Sequence, residues 1–211
     1  MQNQTSPSPT SLPPAVAAVL SCNVADYGLW KAAFDRHAEV RRRAGIVASH
    51  INRDVANPNQ LSIYLAGSDP DRLQAFLASA ELMATMVDAG VKGPPHIALV
   101  TPVEDLTSKS QPLAGAIVRH EVRDFAIWKR AFDGHAQARA RAGIVGHAIN
   151  RAVQNPNLVI IYLQAQTEDQ LRAFTASADL KQVMQTAGVV GAPELNFVTG
   201  GDWQIDPSAT H

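Results

Sequence analysis

One helical segment of the sequence carries the residues best suited to chemistry. His37 and Arg41 follow Trp30 and Phe34 at spacings of three or four residues. Such spacings place side chains on one face of an α-helix, so all four belong to the stripe that would face a sheet. A neutral imidazole accepts protons near neutral pH, and a guanidinium stabilises a developing anion. The pattern predicts proton abstraction from an organic molecule that is held beside an indole ring.

The same stripe occurs a second time, 98 residues further on. It consists of Trp128, Phe132, His135 and Arg139. In both copies the histidine and the arginine are the candidate catalytic residues, and the two aromatic residues are candidate substrate-binding residues. A structural alternative stays open, because buried polar groups need partners. The histidine can bond a backbone carbonyl, and the arginine can pair with a carboxylate at the edge of a filled core.

Strand alternation adds three further candidate substrate-binding residues. Arg53 lies in the predicted strand 46–55, and His147 and Arg151 lie in its copy, 144–153. Alternate residues of a strand share a face, and we expect these three to point toward the helices. His147 would then share the space of the second helix stripe.

Metal and cofactor sites have little support in the sequence. The second copy gains His120, His147 and Glu194, but no HxH or HExxH spacing accompanies them, so we expect no metal site. Cys22 is the single cysteine, which excludes an intramolecular disulfide and a multi-cysteine metal site. There is also no GxSxG, P-loop or GxGxxG motif. We therefore expect no cofactor.

The chain contains an internal duplication. Residues 16–101 align with residues 114–199 without gaps, and 42 of the 86 positions are identical. Solenoid repeats are shorter and need at least three copies, so two copies of this length indicate two domain-sized units. We predict a disordered tail (1–14), a first unit (15–101), a linker (102–113), a second unit (114–199) and a C-terminal tail (200–211).

Each unit shows the signals of a βαββαβ order. Asp26 and Asp124 are natural N-caps for one long first helix, which Gly45 and Gly143 would end. The repeated Asn-Pro-Asn turn predicts a hairpin, and short final strands are expected at 97–101 and 195–199. The fold class is therefore α+β: two tandem ferredoxin-like units that pack sheet to sheet as an intramolecular barrel.

The net charge and the lengths of the apolar runs limit the kinds of molecule that we expect the protein to bind. The formal net charge is −1, so nothing favours nucleic acid or an acidic membrane surface. The apolar runs are too short for a membrane helix, and the N-terminus lacks the basic region of a secretory signal. We expect a cytoplasmic protein whose partner is a small-molecule ligand.

A family resemblance adds to this interpretation. The run DYGLWKAAFDRHAEVRRRAGIVASHINRDVANPNQ and its copy DFAIWKRAFDGHAQARARAGIVGHAINRAVQNPNL resemble proteins of the dimeric α+β barrel superfamily. They are most similar to antibiotic-biosynthesis-monooxygenase-like and cyclase-like members. The resemblance implies a ligand pocket between helices and sheet, and a pseudo-dimer within one chain that a further homodimer could extend.

The activity stays open at this point. The resemblance implies a cofactor-independent monooxygenase, or a cyclase or isomerase, that acts on an aromatic or polyketide-like substrate. The superfamily also includes haem-degrading enzymes, which makes haem the cofactor alternative. No catalytic signature matches residue for residue, and fold does not fix function. A non-catalytic small-molecule binder and a stress-related or structural protein are the other two hypotheses.

Overall fold

Both copies of the repeat fold into the same succession of elements. The computed structural model describes residues 16–109 and 111–205, and in this part of the chain each copy forms four strands and four helices. The first copy contains β1 (Val16–Val24), α1 (Tyr27–Arg36), α2 (Ala38–Arg43), β2 (Ile46–Asp54), β3 (Gln60–Gly67), α3 (Pro70–Leu77), α4 (Ala80–Asp88) and β4 (Val91–Asp105). The second contains β5 (Ala114–Val122), α5 (Phe125–Gly134), α6 (Ala136–Arg141), β6 (Ile144–Ala152), β7 (Leu158–Ala165), α7 (Glu168–Thr175), α8 (Ala178–Thr186) and β8 (Val189–Ile205).

The predicted helix caps are present. The Asp26 carboxylate accepts a hydrogen bond from the Leu29 backbone N–H at 2.8 Å, and Asp124 caps α5 in the same way. Gly45 and Gly143 follow the second helical segment with φ of 77° and 84°, a left-handed conformation that favours glycine.

The prediction of one long first helix was wrong. A break at His37, with φ −89° and ψ 16°, separates α1 from α2, and His135 separates α5 from α6 in the same way. The His37 N–H still bonds the Ala33 carbonyl. Across the break the Arg41 guanidinium donates to the carbonyl oxygen of Phe34, and this bond ties the two helical segments together.

The eight described strands close into one antiparallel barrel, in the order β1-β3-β2-β8-β5-β7-β6-β4. The first unit supplies β4, β1, β3 and β2, and the second supplies the other four. Two seams join the units, where β4 pairs with β6 and β8 pairs with β2. The predicted fold class is confirmed.

The final strands are longer than predicted. They continue to Asp105 and Ile205, so residues 102–105 of the predicted linker and 200–205 of the predicted tail lie in strands. The extra residues at the far ends pair with the other unit and form the seams. The strands also begin earlier than predicted, at Val91 and Val189, where they pair with β1 and β5. Pro102 stands at a register shift, where a missing N–H is tolerated. Alternation within one unit cannot reveal such a partner.

Three hydrophobic clusters fill the molecule. Two lie between the helices and the outer sheet face of each unit, around Trp30 and around Trp128. The third lies inside the barrel and is built on Ala17, Val100 and Ile160. The predicted disordered tail, 1–14, lies outside the described residues. No helix in the described part of the chain has the length and apolar character that a membrane crossing requires.

Candidate functional site

Each unit has a cavity between its helices and the outer face of its sheet. The volumes are about 70 Å³ in the first unit and about 80 Å³ in the second. Both walls are mainly apolar, and both contain the stripe that the sequence singled out. Trp30, Phe34, His37 and Arg41 line the first cavity, and Trp128, Phe132, His135 and Arg139 line the second.

The arginine of each stripe is held in place by its own helix pair. The Arg139 guanidinium carbon lies 3.6 Å from the centre of the Phe132 ring, and the guanidinium donates to the Phe132 carbonyl oxygen. Arg41 does the same on Phe34 and also donates to Gln204 Oε1 at 3.2 Å. Burial lowers the pKa of Arg41 to about 10, so it remains a cation at neutral pH. Each cavity therefore has a fixed positive charge in its wall.

The histidine at the helix break has a different environment in each unit. His135 Nε2 lies 2.7 Å from the Asp179 Oδ2, and Asp179 is the second residue of α8. The equivalent acid in the first unit is Glu81, which lines the first cavity together with His37. A carboxylate at this distance fixes the orientation and tautomer of the imidazole.

His120 is a functional candidate that sequence reasoning did not place in the site. Its side chain projects from β5 into the second cavity, and the residue is only 5% exposed. The ring meets Trp128 edge-on with centroids 5.6 Å apart, and neither ring nitrogen has a hydrogen-bond partner among the described residues. Burial lowers its pKa to about 4, so the ring is neutral at pH 7.

The first cavity has a thiol in the same position. Cys22 lines that cavity, and burial raises the pKa of its thiol to about 11, so it is neither a base nor a thiolate nucleophile at neutral pH. The signal that could have identified His120 was the difference between the copies at this one position. The two cavities share their aromatic residues and their arginine, but among the described residues only the second has a fully buried imidazole whose two nitrogens lack a hydrogen-bond partner.

Two predicted binding residues lie away from the cavities. Arg53 stacks over the Tyr27 ring at 4.0 Å and donates to the Pro58 carbonyl oxygen at 2.9 Å. Arg151 stacks over Phe125 and donates to Pro156 in the same way. The carbonyls of the Asn-Pro-Asn turn hold both guanidinium groups at the end of the hairpin, and neither lines a helix-side cavity.

His147 faces the helices as predicted but does not reach the second cavity. Its Nε2 lies 2.5 Å from Glu104 Oε1, and Lys129 pairs with the same carboxylate at 3.0 Å. The Phe132 ring stands beside it, with centroids 5.0 Å apart. Glu104 belongs to the part of β4 that crosses to the second unit, so this partner could not be foreseen from one repeat.

The residues considered for a metal do not converge. His120 faces the helix-side cavity, Glu194 lines a cleft inside the barrel, and His147 is bonded to Glu104. In the described ranges no three His, Cys, Asp or Glu side chains lie close enough together to hold an ion. The cavity of about 80 Å³ would have to open widely to take a haem macrocycle, although His120 could offer a nitrogen to the iron.

The buried histidines predict an acid-sensitive fold. Burial lowers the pKa of both His50 and His120 to about 4, below their ordinary value of 6.5. Between these values the unfolded chain binds protons that the folded chain does not, so the free energy of unfolding falls as the pH falls. Each group contributes at most roughly 3 kcal/mol. Urea unfolding of His120→Cys from pH 7 to pH 4 should show a clearly shallower decline than that of the unmodified chain, and equal slopes would contradict this prediction.

Known proteins resemble this chain in fold alone. No family model matches the chain, and no curated protein matches it. Among solved structures, an anthrone oxidase-like protein shares 11% identity at a TM-score of 0.66, over 91% of this chain and 93% of that one.

Two further solved structures agree with this. A monooxygenase-like protein from Listeria innocua shares 8% identity over 87% of this chain and 94% of its own, with a TM-score of 0.52. A mutant chlorite dismutase from Candidatus Nitrospira defluvii shares 15% over 89% and 92%, with a TM-score of 0.51. This chain therefore has the dimeric α+β barrel fold, with both halves supplied by one polypeptide.

Proposed function

We propose that the chain is a small-molecule enzyme of the cofactor-independent monooxygenase kind, with its active site in the cavity of the second unit. The observation that carries the proposal is His120, a buried neutral imidazole with two unpaired nitrogens beside an indole ring. Buried polar atoms without partners are rare, and a catalytic role is one of the few reasons for them. The proposed substrate is an aromatic or polyketide-like molecule with an acidic C–H or phenolic O–H.

The residues of the second cavity take defined roles in this proposal. The substrate ring packs on Trp128, and His120 accepts a proton from the activated carbon or hydroxyl. Burial alone disfavours the imidazolium, and the substrate anion that forms beside it offsets this effect. The Arg139 cation stabilises the resulting anion, and its effect is strong because the walls of the cavity are mainly apolar. For a substrate such as anthrone, the anion then reacts with oxygen, so that CH₂ and O₂ give C=O and H₂O. All four electrons come from the carbon, and no external reductant is needed.

His135 acts as a positioning residue or a second base. If Asp179 accepts a hydrogen bond from the protonated Nε2 of His135, the other ring nitrogen, Nδ1, is left free to accept a proton. The pair also joins the break between α5 and α6 to the start of α8. A substrate that displaces α8 would therefore perturb the His135 base.

Admission of a substrate requires movement of α8. The cavity of about 80 Å³ is well below the ~300 Å³ at which ligand pockets begin. Leu180, Val183 and Met184 of α8 line it, yet none of the residues of α8 is fully buried. A helix with so little buried surface can move away from the sheet at a low cost in free energy, and we propose that α8 is the lid of this cavity.

The structural neighbours support the monooxygenase proposal only as an analogy. One is an anthrone oxidase-like protein and another is monooxygenase-like, both at low identity. The second candidate function is binding without turnover. In the first unit the cavity favours binding without turnover, because Cys22 stands there at the position that His120 has in the second unit.

Oxygen uptake with anthrone tests the proposal. The full chain in air-saturated buffer should consume one O₂ for each anthrone converted to the quinone, above the rate without protein. Anthrone that binds, as followed by tryptophan fluorescence, but is not turned over would favour the binder. Neither uptake nor binding, for anthrone and hydroxylated anthrones alike, would contradict both functions.

Replacing Asp179 with asparagine is expected to lower kcat about tenfold, because the amide no longer holds the imidazole as a carboxylate does. The matched control is Glu81→Gln, which makes the same change at the equivalent position of the first unit. Stopped-flow anthrone oxidation from pH 5 to pH 9 measures both. Equal kcat values for the two variants across this pH range would exclude a role for the His135–Asp179 pair.

A further inference from the structure

A third cavity lies inside the barrel, on the sheet face opposite the proposed active site. Its volume is about 380 Å³, several times that of either helix-side cavity. Both units contribute to its wall, so it exists only because the two sheets face each other. The side chains that define it are Val19, Ser21, Gln60, Ser62, His96, Ala98, Ile117, Arg119, Ile160 and Glu194. We call this space the barrel cleft.

The barrel cleft is polar at its mouth and apolar at depth. Val19 pairs with Ala98 on adjacent strands, and both pack against the interior cluster with Ile117. Two residues further along the strands, Ser21 pairs with His96 and Arg119 pairs with Glu194. An occupant would therefore contact apolar side chains at its inner end and hydrogen-bonding groups at its outer end.

The two units contribute unequal walls. The first supplies Ser21, Gln60 and Ser62, and Gln60 Nε2 donates to Ser21 Oγ at 2.9 Å. The second has Arg119, Leu158 and Ile160 at the equivalent positions. Duplication alone would have left these two walls alike. As they stand, the wall from the first unit is rich in hydroxyl groups, and the wall from the second unit is apolar with the cation Arg119 at its rim.

Arg119 is the cation of the cleft, and it has no carboxylate partner. Within the described residues it forms no ion pair, and its Nη1 approaches only His96 Nε2, at 3.4 Å. Of the two acids at the cleft, Asp54 is engaged with the backbone N–H groups of Ala56 and Asn57. Glu194 is the cross-strand neighbour of Arg119, but the two side chains do not form an ion pair.

We propose that the barrel cleft binds a monoanionic carboxylic acid with an apolar tail. The carboxylate pairs with Arg119, whose planar fork matches carboxylate geometry, and Ser21 offers a hydroxyl donor beside it. The tail lies on Val19, Ile117 and Ile160. This site is separate from the proposed enzyme site because it uses the other face of the sheet, so each proposal stands or fails alone.

Isothermal titration of the full chain with octanoate, hexanoate and benzoate tests the inference, with octan-1-ol and n-octylamine as neutral and cationic probes. At least one acid should bind, and the amine should not compete with it. Arg119→Gln should weaken acid binding about tenfold or more, since a hydrogen-bonded charge is lost. Arg130→Gln, on the exposed face of α5, is the matched control and should change nothing.

Ala98→Phe provides a second variant, because the added ring fills the apolar depth and should abolish binding without touching Arg119. NMR spectra with ¹³C-carboxyl octanoate locate the acid in the unmodified chain. Absence of binding by all three acids at millimolar concentration would overturn the inference. Binding that is equal in Arg119→Gln and Arg130→Gln, or that survives Ala98→Phe, would overturn it as well.

Discussion

Replacing His120 with cysteine is expected to reduce turnover of an anthrone by about 10²–10⁴-fold, the range that a positioned general base contributes. The substitution installs the residue that the first unit already has in the same place, and a buried cysteine packs as a small apolar group. Binding of the substrate should persist, because Trp128 and Phe132 remain. The measurement is oxygen uptake with a parallel fluorescence titration.

The control for this variant is Cys22→Ser in the first cavity, which should leave turnover unchanged. Circular dichroism and thermal unfolding of both proteins separate loss of the base from loss of the fold. If His120→Cys retains full activity while Cys22→Ser loses it, the active site lies in the first unit and the assignment to the second is wrong.

Replacing Gly201 with alanine is expected to destabilise the protein by about 3 kcal/mol or more. Gly201 lies in β8 at the seam with β2, where the register shifts between Ile51 and Arg53. A Cβ at this position would overlap the backbone carbonyl of Ile51, which cannot yield as a flexible side chain can. For a chain of this size we expect a fall in Tm of roughly 6–12 °C.

Gly134→Ala is the matched control for the seam. Gly134 ends α5, and a Cβ there would meet open space. Alanine at that position should change the free energy of unfolding by no more than about 1 kcal/mol. Urea unfolding of the two variants compares them directly. A Gly201→Ala protein as stable as the Gly134→Ala protein would mean that the β2·β8 seam is looser than the structure indicates.

The sequence predicted the fold well because the repeat carries its signals twice. Asp26 and Asp124, the turn glycines and the Asn-Pro-Asn turns each mark an element boundary through local chemistry. The extension of the final strands was missed because its cause is not local. Residues 102–105 and 200–205 form strand only where the other unit offers a partner.

The candidate site was predicted in part for the same reason. Helical periodicity correctly placed Trp30, Phe34 and their copies on one face, and the structure adds a cavity beneath each. Alternation could not show that Arg53 is captured by the Pro58 carbonyl or that His147 meets Glu104 from the opposite seam. The sequence shows that His120 replaces Cys22 in the second copy. That its ring lacks a hydrogen-bond partner among the described residues is a property of the folded protein.

Duplication within one chain lets the two helix-side cavities differ. A symmetric dimer of one short chain would have identical residues at both sites. In this chain the Cys22 and His120 positions differ, and so do Glu81 and Asp179 beside the two helix breaks. We therefore propose one catalytic cavity, in the second unit, and one cavity that binds without turnover, in the first.

The most direct test is ¹⁵N NMR of the imidazole rings in the full chain, which contains seven histidines. The His120 signals are assigned by their loss in His120→Cys, and the spectra are recorded anaerobically with and without anthrone. We expect His120 to be neutral at pH 7 without ligand, and we expect its ring nitrogens to show the largest shifts when anthrone binds. Anthrone that moves the His37 signals and leaves those of His120 unchanged would contradict this expectation.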